Sequence, residues 1–122
     1  MKLEKKHLIP FFSALKETDG TLSLKEARIR DQMLKPLLEV AQTYEQDRTK
    51  IYQKFGTHNP ENNTYTFPNE KLEEVNAELK TLNEEEVELP EVTGIKEILE
   101  KTEYKPKIGE AESIDAVLEL IK

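Results

Sequence analysis

The sequence predicts a single α+β domain, predominantly helical, in which a long kinked helix packs against a second, acidic one. Three observations carry that expectation. From Ser23 to Phe55 the apolar residues Ile29, Met33, Leu37, Val40, Tyr44, Ile51 and Phe55 fall at steps of three or four, with one double step. A 3.6-residue repeat gathers all of them on one stripe. Between Asn69 and Glu85, Leu72, Val75, Leu79 and Leu82 keep the same period among glutamates, a narrow stripe suited to one partner helix. Finally, the segments at Leu3, 64–67 and 86–89 alternate or are β-branched, enough for a small two- or three-stranded sheet.

Taken in order, Leu3 opens an edge strand, and Leu8, Ile9, Phe11, Phe12 and Leu15 form a short helix entered through Pro10. Thr18-Asp19-Gly20 ends that helix. Ser23-Leu24-Lys25-Glu26 is a capping box, in which hydroxyl and carboxylate each satisfy an amide at the start of the long helix. Pro36 lies thirteen residues further on, where its missing amide and its ring predict a kink near Lys35, or else a break. Gly56 closes the unit, with Lys50 and Lys54 near its negative end. Thr57 to Asn63 reads as a loop, Thr64 to Phe67 as a strand, and Pro68 or Asn69 as the start of the acidic helix. Val87 and Leu89 alternate with glutamates up to Pro90. Two short C-terminal helices follow, capped by Thr93 and Ser113 and carrying Ile95, Ile98 and Leu99, then Ile114, Val117, Leu118 and Ile121. Residues 1–122 thus make one domain, a helical core with its sheet over 1–90 and a helical extension over 91–122. The final helix reads as core rather than as a detachable segment.

Charge is unevenly placed along a chain of net charge −7. Residues 1–56 carry a net +3, whereas 69–91 carry −7. No apolar run approaches the roughly 20 residues of a membrane span, and the short patch from Leu8 to Phe12, interrupted by Pro10, makes a poor secretion signal. Without cysteine there is no disulfide framework and no thiolate ligand or nucleophile. An intracellular location is the simplest expectation, with a place in a secreted particle as the alternative.

No residue pattern names a reaction. His7 and His58 are separated by the whole long helix and lack partners at metal-ligand spacing. The Asp19-Gly20 turn lacks the alternating ligands of a calcium loop. Glycines at 20, 56, 94 and 109 are too scattered for a phosphate cradle. Ser13, Ser23 and Ser113 have no nucleophile-elbow context. The expectation is therefore a non-enzymatic chain with no cofactor and no metal.

Binding is the remaining class. At about 1.5 Å per residue the Ser23–Phe55 unit is roughly 50 Å long, against about 35 Å for a compact globule of this length. A stripe that overshoots its own globule needs a cover, which marks Met33, Leu37, Tyr44, Ile51 and Phe55 as partner-binding residues, toward another protein or a second copy. A second reading makes Glu73, Glu74 and Glu78 a phosphate mimic that blocks a host or defence nuclease; a solvated helix face is its bland counterpart. A third places nucleic acid on Lys25, Arg28, Arg30 and Lys35, with Lys2, Lys5 and Lys6. The interleaved Glu26, Asp31 and Glu39 and the overall charge oppose it, and helical pairs such as Glu26 with Arg30 account for the pattern without a ligand.

The order of segments is similar to that of a family of small, uncharacterised proteins encoded by phages and prophages of Gram-positive bacteria. The pieces that carry the resemblance are Met1-Lys2-Leu3, Leu8 to Leu15, Ala27 to Tyr52, and Leu72 to Leu89 with Glu86-Val87-Glu88. They cover about three-quarters of the chain and leave Glu91 to Lys122 unmatched. The resemblance implies a phage-related origin and an accessory role in assembly or host interaction, and supplies no catalytic residue.

Overall fold

Ser23 starts the element around which the rest is arranged. Its hydroxyl accepts from the Glu26 amide at 3.2 Å while its own amide donates to the Glu26 carboxylate at 3.1 Å. The expected capping box is therefore present. Glu26 also accepts from Lys101 Nζ, and these hydrogen bonds hold its carboxyl at about 2. In this computed structural model, which describes residues 1–18 and 20–121, the helix so begun (α2) runs from Leu24 to Phe55. Pro36 lies inside it and does not divide it. A mid-helix proline costs about 3 kcal/mol. The burial of Met33, Leu37 and Ala41 on either side offsets that, at about 1.5–3 kcal/mol for each of the two larger side chains.

Before α2 come β1 (Lys2–Glu4), a 3-10 turn at Lys5–His7 and α1 (Leu8–Lys16). After it come β2 (Thr57–Asn59), β3 (Thr64–Thr66), a 3-10 turn at Asn69–Lys71, α3 (Leu72–Glu84), β4 (Glu86–Glu88), α4 (Ile95–Leu99) and α5 (Glu110–Leu120). The described residues are 63% helical, an α+β fold dominated by α. α3 packs on α2, as its narrow stripe predicts, with the Tyr44 hydroxyl donating to Asn83 and Lys54 donating to Glu78 at 2.8 Å.

The strands pair differently from the single sheet expected. β1 and β4 are antiparallel, with Leu3 opposite Val87. β3 turns back on β2, with His58 opposite Tyr65. The segment 57–63, read as a loop, therefore supplies a strand. Its residues Thr57, His58 and Asn59 are all exposed, so no apolar alternation announces it. The link between the strands includes Asn63 at φ 52, a left-handed position that asparagine tolerates.

Two expected caps are also revised. Gly94, at φ 95, precedes α4 in place of Thr93, and a Cβ there would meet Ile29 at 3.6 Å. α5 begins at Glu110, so Ser113 lies inside the helix. The Glu110 carboxylate accepts from the Lys107 amide at 2.7 Å and from the Tyr104 hydroxyl. One hydrophobic cluster joins Leu3, Leu8, Phe11 and Leu15 to Met33, Leu37 and Tyr44 and to Ile95, Ile98, Leu99 and Val117. The last two helices are thus built into the core. They are tied down further by Glu103, whose amide donates to the Glu17 carbonyl at 3.0 Å. The turn weighed against a calcium loop includes Asp19, which lies outside the described residues.

Candidate interaction surfaces

The stripe marked as a docking surface is mostly the core of the chain itself. Met33, Leu37 and Tyr44 retain 2%, 0% and 5% of their exposure, which corrects their reading as partner-binding residues. The length argument fails because other segments follow the helix: α1 and α4 pack on it, α3 covers a further part, and β2 contacts it as well. Ile51 is partly buried against the core cluster, and Phe55 is half-buried with Lys54 Nζ 4.9 Å from its ring centre.

The β2–β3 hairpin seals this distal end through aromatic contacts. The Tyr52 ring lies 5.5 Å from Tyr65 and 6.0 Å from Phe67, and His58 lies 5.0 Å from Tyr65. Arg48 reaches between Tyr44 and Tyr52, 5.5 and 5.8 Å from the ring centres, and donates to the Tyr52 hydroxyl at 3.0 Å. His58 is hydrogen-bonded to Asn63 at 2.9 Å, so it braces the turn of the hairpin.

The acidic face is partly neutralised by its own neighbours. Glu78 is paired with Lys54 at 2.8 Å and Glu74 with Lys71 at 3.5 Å, leaving Glu73 alone of the three without an ion pair among the described residues. A phosphate mimic presents uncompensated carboxylates; of the three marked residues only Glu73 is one, although Glu70, Glu84, Glu86 and Glu91 are also exposed and without an ion pair among the described residues. The basic N-terminal half is satisfied internally only in part: Lys5 pairs with Glu85, Lys6 with Glu4, and Arg30 with Asp31, while Lys2, Lys25, Arg28 and Lys35 have no ion pair among the described residues. The expected Glu26–Arg30 pair is replaced by Glu26–Lys101 and by Arg30 donating to Asp31 and to the Thr18 hydroxyl.

A different face of α2 stays open. Leu34, Lys35, Leu38, Gln42 and Glu45 repeat at helical spacing on a face beside the core stripe, with Leu34 still packed against the core. Leu38 is 40% exposed. α1 runs alongside and contributes Ile9 and Phe12, so the two helices form a shallow apolar groove. Its upper hollow, about 420 Å³, lies between Phe12, Leu34 and Leu38, with Lys16, Arg30, Asp31 and Lys35 around it. Below, Ile9, Phe12 and Leu38 continue the floor past Ala41 to Gln42, Glu45 and Gln46. One end of the groove is rimmed by lysines and the other by glutamate and glutamines. Leu34 and Leu38 went unmarked in the sequence because Asp31, Lys35 and Glu39 interrupt them, which hides a second stripe beside the stronger one.

A pair missed in the sequence is His7 with Ser113, hydrogen-bonded through Nδ1 and Oγ at 2.8 Å across 106 residues. Ser113 is 9% exposed and lies within α5, enclosed where a nucleophile would have to meet substrate. The pair joins the first turn of the chain to the last helix. Burial, with help from Lys6, holds the His7 pKa below its usual 6.5, and Glu4 opposes this only in part. Neutral His7 is therefore the form the fold favours. Its contribution is complete above pH 6.5 and declines as pH falls from there through the lower folded value. Equilibrium unfolding between pH 7 and pH 5 is expected to show stability falling with acid, and His7→Asn to flatten that part of the profile.

Among the described residues, no group of three or more His, Asp or Glu side chains is placed to hold a metal ion. No helix is long and apolar enough to cross a membrane. Comparison with protein-family models, curated proteins and solved structures finds no match.

Proposed function

We propose that this chain works by protein–protein binding rather than catalysis, as an accessory factor encoded by a phage or prophage, and that the α1–α2 groove is where it binds. The observation that carries the reading is the exposed Leu38, set among Phe12, Leu34 and Ile9 on a chain whose other long apolar stripe is closed by its own segments. Continuous apolar surface rimmed by charge is the usual mark of an association site. The groove replaces the Met33–Phe55 stripe as the place of contact. The phage origin rests on the resemblance in segment order. A gene position among tail and lysis genes would support an assembly role, and one among early anti-defence genes a role against the host.

A photo-crosslinking residue at position 38, in protein expressed in its host cell, is expected to give a discrete protein adduct on illumination. The same residue at the exposed position 73 on α3 is the control and should give none. A chain that remains unmodified from both positions would overturn the reading.

A further inference from the structure

We propose that the occupant of the α1–α2 groove is a second copy of this chain, its α2 antiparallel to the first; this rests on the binding role just argued and names the partner. The groove is charged in a way that complements itself. Lys35 stands at one end and Glu45 at the other, with Leu38 and Gln42 between them. A two-fold axis at the level of Val40 sets Lys35 of each copy against Glu45 of the other, and Leu38 against Gln42. The same register sets Asp31 against Thr49 and Leu34 against Gln46; Arg30, held by Asp31 and Thr18, falls at the level of Lys50. Moving the axis back to Leu38 would set Asp31 against Glu45. Charge therefore disfavours that shift.

The two charges are placed for the purpose. Lys35 has no ion pair among the described residues, while Glu45 accepts from Arg48 at 2.8 Å and is held in place by it. Arg48 is in turn fixed by the Tyr52 hydroxyl. From Arg30 to Gln46 the groove extends roughly 24 Å at the helical rise. With a width of about 20 Å across two packed helices, each copy offers enough to bury on the order of 1,000 Å² in total. That is the lower limit for a specific interface, so the dimer is expected to dissociate in the micromolar range.

Sedimentation of the purified chain over a concentration series is expected to show a monomer–dimer equilibrium. Leu38→Asp should leave only monomer. Lys35→Glu and Glu45→Lys should each weaken self-association by about tenfold, the second also releasing Arg48 from its partner. Mixed together, the two variants should restore the dimer as a heterodimer, because one copy then carries two glutamates at these positions and the other two lysines. Unchanged melting temperatures separate lost association from lost folding. A dimer that ignores both charge reversals, or a mixture that fails to recover, overturns the proposal. A strict monomer whose position-38 crosslink captures a different protein also overturns it, while leaving the binding role intact; a strict monomer with no adduct at all removes both.

Discussion

Leu37→Ala is expected to destabilise the chain by about 2–5 kcal/mol, a large part of the roughly 5–15 kcal/mol that holds a domain of this size together. Leu37 is fully buried on α2, in the cluster that also takes residues from α1, α4 and α5. Alanine is the better helix former, so the loss measures packing alone. The neighbouring Leu38→Ala is the internal control. Its side chain is 40% exposed in the groove, and its removal should change stability by no more than about 0.5 kcal/mol. Paired denaturant titrations test the assignment of the two faces of α2. Equal losses at 37 and 38 would mean that the groove is core as well, and a small loss at 37 would return that stripe to the surface.

Gly56→Ala should be nearly as damaging, at the C-terminal end of α2. The backbone of Gly56 is extended, with φ −121, so any residue could adopt it; what the position requires is space. A Cβ there would lie 2.6 and 2.8 Å from ring atoms of Phe67 and 3.0 Å from the Tyr52 carbonyl. One of those neighbours is backbone, and the other is a ring already packed on Tyr52. Relief therefore has to come from the hairpin, at about 1–3 kcal/mol for an overpacked contact. Proton shifts of the Tyr52, Tyr65 and Phe67 rings should move together in the variant, while those of Phe11 stay in place. An unchanged ring cluster would show that the helix end can yield instead.

The main helices could be read from the residues because each depends on a local signal. Met33, Leu37 and Tyr44 repeat at the helical period, and Ser23 with Glu26 makes the start explicit. What escaped depends on partners distant in sequence. Thr57–Asn59 has no apolar face and becomes a strand only because Thr64–Thr66 lies opposite. Ser113 has the character of a cap, yet its hydroxyl is taken by His7, and Glu110 begins the helix three residues earlier. The candidate site was misplaced for a related reason. Periodicity shows which residues share a side of α2, but not whether α1, α3 or solvent meets that side. Tyr44 and Leu38 differ in that alone.

The β1–β4 pair closes a long circuit of backbone, with Lys5 and Glu85 joined across 80 residues and the Met1 amino group donating to the Leu89 carbonyl across 88. Loop closure over such a span costs entropy before any contact returns it. During folding, Lys2–Glu4 must therefore wait unpaired while α2 and α3 form and swing β4 into reach. The little ribbon is a clasp expected to fasten late, because its closure entropy is met only when those two distant strips of backbone come together.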